Sequence, residues 1–200
     1  MRRFDGLSRI GVQKALSRLR HVLVDRSGAS AVEFAFLVPI LLCIYLSSFE
    51  VTNGYTVAKK VLKASGTVAD IVTRQSSVDK AFLNGMIDAA EATVAPHATD
   101  TMTMKISGIT IDSAGNAKVL WSWDQSNSAP YVKGSTVDIP SDMKTPSSFL
   151  VHTEISLPHE MLLFLGSGTD FASSARTVTI TREFFFRQRL SEEIACTDCS

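Results

Sequence analysis

Residues Phe34 to Phe49 form an uncharged, apolar run bracketed by Glu33 and Glu50. No other stretch constrains the chain as much. The run is shorter than the roughly 20 residues that span hydrocarbon as a helix. Extending it to Ala29 at one end and Thr52 at the other gives about 36 Å of helix at 1.5 Å per residue. That length suffices if the two glutamates lie at or near the interfaces. Glu50 can do so easily, whereas Glu33 sits four residues inside the stretch, where a buried carboxylate is costly and calls for a positive partner.

Charge is distributed unevenly around this run. The chain is neutral overall, but residues 1–28 carry Arg2, Arg3, Arg9, Lys14, Arg18, Arg20 and Arg26 against Asp5 and Asp25, a net +5 balanced by −5 in the rest. Basic residues flanking a membrane helix mark its cytoplasmic side. The expected topology therefore has the N-terminus inside and everything from about Val51 across the membrane. Without interleaved aromatics or a recognisable binding fold, the basic segment gives little support for nucleic acid as a partner. A weakly amphipathic helix over Ile10 to Leu23 is expected in the leader.

Cutting after Gly28 would make Ala29 a new cationic N-terminus with Glu33 four residues on, along one helix face. The amine of the same chain or of a neighbouring copy could then neutralise Glu33. Gly28, four residues, Glu33, Phe34 and an apolar stretch resemble the processing site of type IV prepilins. The wording RSGASAVEFAFLVPILL, Arg26 to Leu42, is similar to the TadE/TadG-like pseudopilins of the tight-adherence (Flp) pilus system. The resemblance implies cleavage between Gly28 and Ala29 by a membrane prepilin peptidase, with Glu33 setting subunit register and Phe34 belonging to the recognised site. It also implies other pseudopilins, pilus-assembly proteins and membrane lipid as partners, and a bacterial inner-membrane location with entry into a surface pilus open. Two other readings stand beside it: a plain signal anchor in which Glu33 is incidental, and a cleaved secretory signal, against which the long leader and the lack of an A-x-A pattern after the apolar run both count.

Beyond Glu50 a narrow stripe of Val51, Tyr55, Ala58, Val61 with Leu62, Ser65, Val68 with Ala69 and Val72 continues the helical period, its lower half expected to pack on the sheet and its upper half on neighbouring helices. A break is expected near Gly66 or at Gln75. Ser76 and Ser77 are expected to cap a second helix carrying Phe82, Leu83, Met86, Ile87, Ala90 and Val94, which Pro96 ends. The period then changes to two. Met102, Met104 and Ile106 alternate up to Gly108, the alternation resumes at Ile109, Asp112 to Asn116 is turn chemistry, and Ala117, Val119, Trp121 and Trp123 complete a hairpin. Trp121 and Trp123 share a face, for core packing or for a carbohydrate platform. Residues 125–148 form a long Ser/Pro-rich loop of the kind reserved for binding or disorder. Further strands are expected over Phe149 to Leu157 and Ala175 to Phe186, with a short apolar turn or helix at Pro158 to Gly168.

The expected fold is α+β and pilin-like: a long N-terminal, transmembrane helix and a short helix packed on a roughly four-stranded antiparallel sheet. Its parts are a cleaved basic leader (1–28), a transmembrane helix (29–52), a helical stalk with the second helix (53–98) and a periplasmic β domain (99–200). Cys43 lies in the apolar helix. Cys196 and Cys199 pair as a small-loop disulfide in an oxidising compartment, since a zinc site needs about four ligands and a redox CxxC expects a βαβ setting. His152 and His159, with Glu154 and Glu160 nearby, are read as solvated strand-end residues, and His159-Glu160 lacks the second histidine of a zincin helix. No catalytic residue, metal or cofactor is expected. The function expected is assistance in pilus assembly by a minor component, with an unprocessed, signal-anchored periplasmic binding module as the alternative.

Overall fold

The computed structural model describes residues 28–161, 177–189 and 193–199. The expected leader helix, most of the apolar 158–168 segment and the expected strand start at Ala175 lie outside them. The chain divides into two compact units, 1–48 and 49–200.

The main helix, α1, runs from Ala29 to Val72 and is continuous through Pro39. Glycine inside a helix costs about 1 kcal/mol, but here burial outweighs that cost, so no break occurs at Gly66. Within the second unit α1 buries Val57, Val61, Ala64, Ser65, Val68, Ala69 and Val72. The spacing of three and four is that of one helix face. At the upper end of the stripe read from the sequence Val51 and Tyr55 are exposed, and lower down Leu62 lies off the buried face. Helix α1 stops at Val72, and a turn at Thr73–Arg74 follows.

Ser77 does not cap the next helix. Ser77 and Val78 form a short strand, β1. The cap of helix α2 (Lys80–Val94) is Asp79, whose side chain accepts from the Phe82 amide. A carboxylate at this position satisfies one of the orphan donors of the first turn. Leu83, Met86, Ala90 and Val94 form its buried face.

A four-stranded antiparallel sheet follows, built from β2 (Thr103–Ile111), β3 (Ala117–Asp124), β4 (Ser148–Glu160) and β5 (Thr177–Arg187) in the order β3-β2-β4-β5. Asp112 shapes the hairpin turn by accepting from the Ala114 and Asn116 amides, and Gly115 takes the positive φ of 84° that the turn requires. One sheet face joins the α1 stripe through Met104, Ile106, Trp121, Trp123, Val151 and Ile155. The other carries a smaller cluster of Ile109, Ile111, Ala117, Ile139 and Leu150. Strand β4 is therefore covered on both sides, which is why Phe149 to Thr153 are all buried.

The 125–148 loop has a structural task. It folds back along the outer edge of β3, where the Val119 amide donates to Ser135, Gly134 to Val119 and Val137 to Ala117. A last strand, β6 (Ala195–Cys196), pairs in parallel with β1. Ile194, fully buried, precedes it, and its carbonyl accepts from Trp121 Nε1 at 2.7 Å.

The β2–β3 register shifts between Gly108 and Ile109. A Cβ on Gly108 would come within 2.5 Å of Trp121 Nε1 and 2.6 Å of Phe149 Cζ. Gly108→Ala is expected to lower the unfolding free energy by about 1–3 kcal/mol, the usual cost of overpacking a core. Gly85→Ala, where a Cβ meets nothing within 4 Å, should be neutral or stabilising. Urea titrations of the two variants test the contrast.

Candidate functional site

Three places bring together chemistry-bearing residues. The first is the junction singled out in the sequence. Gly28 immediately precedes α1, and a Cβ placed on it would meet nothing within 4 Å. Glu33 lies one turn into the helix and is exposed, as is Phe34. From Ser30 to Phe49 every side chain is exposed, including Phe36, Leu37, Ile40, Leu41, Ile44 and Phe49. Exposed apolar surface costs about 25 cal/mol per Å2 in water, so a whole helical turn after turn of it points to a non-aqueous surrounding. This helix is long and apolar enough to cross a membrane. The pattern ends abruptly at Glu50, which is buried.

The second place is the sheet face turned away from α1. Glu154 on β4 accepts from Lys105 Nζ at 2.9 Å and from the Tyr131 hydroxyl at 2.8 Å. Burial alone would raise the Glu154 carboxyl, but these two hydrogen bonds hold it below its ordinary value. Tyr131 is pushed up to about 12, by burial first and then by its bond to the Glu154 carboxylate. Two residues earlier, His152 stacks on Phe185 with ring centroids 4.3 Å apart. Its Nε2 lies 3.0 Å from Glu183 Oε2 and its Nδ1 3.5 Å from Ser107 Oγ. Serine, histidine and carboxylate in a row resemble a nucleophilic relay, but Ser107 is only 1% exposed. In this conformation the serine is out of a substrate's reach, and the row ties β2, β4 and β5 together.

His152 and His159 are therefore not solvated strand ends. His159 is largely buried, with Nε2 4.0 Å from Glu50 Oε1. It separates two clefts. One, of about 350 Å3, lies between α1 and the β4–β5 end of the sheet, beside Gly54, Tyr55 and Val178. The other, about 340 Å3, is lined by His97, Asp100 and Glu160 among others. His97 is held below its ordinary value by burial first, then by the charges of Lys60 and His159. The approach of Glu50 to His159 joins residues 109 positions apart, and no local pattern could have announced it.

The third place is the C-terminal segment. Cys196 and Cys199 lie at disulfide-bonding distance. Asp198 accepts from the Lys80 amide at the start of α2. Cys196, Asp198 and Cys199 group their ligand atoms closely enough for a metal ion, but bonded sulfurs offer no thiolate and three groups fall short of a closed zinc set. Trp121 and Trp123 are both buried in the core, which removes the aromatic platform as a binding surface.

Burial, the dominant influence, depresses His152 below its ordinary value despite Glu183. The unfolded chain therefore binds the proton more readily than the folded one. Stability from this group is complete above about pH 6.5 and falls as the pH drops towards the lower folded value. His152→Gln is expected to flatten the loss of stability between about pH 7.5 and 5.5, as measured by urea midpoints across that range. Comparison with protein-family models, with curated proteins and with solved structures finds no match to this chain.

Proposed function

We propose that this chain is a membrane-anchored, TadE/TadG-like minor pseudopilin that a prepilin peptidase cleaves between Gly28 and Ala29 and that assists assembly of a tight-adherence pilus. The observation that carries the reading is the junction itself. Gly28, Glu33 and Phe34 lead without interruption into a helix whose described side chains are exposed from Ser30 to Phe49. An accessible glycine before the helix suits a peptidase that must approach the backbone closely, and the lipid-facing run suits an enzyme working within the membrane. The basic leader orients the chain with the 49–200 unit in the periplasm, where the Cys196–Cys199 pair meets an oxidising compartment.

In this reading the amine of mature Ala29 pairs with Glu33 of the same or a neighbouring chain and fixes the register of laterally packed helices. The 49–200 unit is far larger than a bare filament subunit requires, which favours a minor or initiating component. Other pseudopilins, inner-membrane assembly proteins and lipid are its partners.

Mass spectrometry of the N-terminus, in cells with and without a prepilin peptidase, tests the proposal. A peptidase-dependent start at Ala29 is expected. A start at Met1 in both would make the helix a plain signal anchor and remove the pseudopilin reading. Glu33→Ala is expected to leave the chain membrane-bound but to reduce pilus assembly at least tenfold by surface pilus counts; intact assembly would sink the register role.

A further inference from the structure

The two edges of the main sheet are treated differently. The outer edge of β3 is covered by the 132–137 strap through backbone bonds at Val119, Gly134 and Val137. Strand β5 forms the opposite edge. It pairs with β4 in unbroken register from Leu150↔Arg187 to Glu160↔Thr177. Neither a bulge nor a proline blunts it, two of the usual protections of an edge; Arg182 is the charge it carries on the α1 side. Among the described residues no strand or loop bonds its outer side, and Thr177 to Thr179 and Thr181 to Glu183 are exposed.

The parity of this edge follows from one bond. Gln188 N–H donates to Phe149 C=O, so even-numbered residues of β5 face β4 and odd-numbered ones present N–H and C=O outward. In agreement, the Thr181 carbonyl is taken by the Arg182 guanidinium at 2.9 Å instead of by β4. The even residues Val178, Ile180 and Arg182 direct their side chains to the α1 side, where they line the 350 Å3 cleft together with Val51, Gly54 and Tyr55. A strand added outside β5 would set its own alternate side chains beside that apolar cleft. Main-chain bonds for affinity and a pocket for alternate side chains are the two parts of a strand-addition site.

We infer that β5 is a docking edge for an extended segment of a partner protein, antiparallel to it, apolar opposite Val178, Ile180 and Phe184, acidic opposite Arg182 and basic opposite Glu183. Charge selects this occupant over a second copy. In an antiparallel pair with itself, the register that pairs all of β5 sets Arg182 directly against its own copy, and like charges opposite one another are destabilising. The inference goes beyond the pilus reading and does not depend on the Gly28 cleavage.

The probe is a synthetic peptide of complementary pattern, Val-Thr-Val-Lys-Glu-Thr-Val-Thr-Val, added to the full chain in detergent micelles. Amide hydrogen exchange should slow at Thr179, Thr181 and Glu183 and stay unchanged at Ile180 and Arg182, which β4 already protects. Arg182→Glu should weaken binding about fivefold and restore it for the peptide with its glutamate changed to lysine. Thr179→Pro, which removes an outward amide only, should abolish binding with β4 protection intact; the same peptide N-methylated at alternate residues makes that test without altering the protein. Binding indifferent to the Arg182 charge, protection appearing elsewhere or nowhere, or protection of these amides by concentration-dependent self-association would each overturn the inference.

Discussion

The fold of the 49–200 unit depends on one seam, the stripe of α1 that ends at Val72. Val57, Val61, Val68 and Val72 are fully buried, each contributing on the order of 1.5–3 kcal/mol. Between them stand Ala64, Ser65, Gly66 and Ala69, which keep the stripe low. The ring of Phe184 rests 3.6 Å from where a Gly66 side chain would begin. An added Cβ would only touch that ring, so the close fit leaves little room for a longer side chain. The sheet answers with its large groups, Trp123, Ile106, Val151 and Ile155. Small residues on the helix and bulky ones on the sheet bring the two layers together, and α2 and Ile194 close the remaining sides.

Period alone made much of this legible. The alternation from Met102 to Ile106, its restart at Ile109 and the second alternating run through Trp123 were enough to place the hairpin, and the interruption at Gly108 coincides with the register shift. Helix α2 was equally plain from Leu83, Met86, Ala90 and Val94. What escaped was set by distant partners. Ser77 and Val78 become a strand only because Ala195 and Cys196 arrive beside them. The 125–148 segment carries no regular period, because it binds β3 through its backbone and buries little beyond Ile139. His152 and His159 looked like strand-end polar residues because nothing local shows that Phe185 covers one and that Glu50 approaches the other.

The candidate site divides in the same way. The junction at Gly28, Glu33 and Phe34 is a contiguous motif and could be read directly. The structure adds the exposure of its surroundings. The polar row on the far face of the sheet could not be read, since Lys105, Tyr131, Glu154 and Glu183 come from four separate segments. Their spacing in the sequence follows strand length and loop length, which no motif records. The row gives this face a hydrogen-bonded stretch beside its smaller hydrophobic cluster, and its more buried members, Glu154 and His152, each find a partner.

The seat of Ile194 bears on the order in which the molecule forms. Its side chain completes the main core, its carbonyl receives Trp121, and the residues after it supply both the neighbour of β1 and a carboxylate for the first turn of α2. The start of α2 thus waits for a segment 118 residues downstream, as β1 does, and Trp121 for one 73 residues downstream. Contacts this remote slow folding, because the intervening chain must be ordered before they can form. During synthesis the hairpin and both helices emerge early yet lack their final wall. The nascent unit stays open, with Trp121 and Val78 lacking their final cover, until the segment around Ile194 has been made.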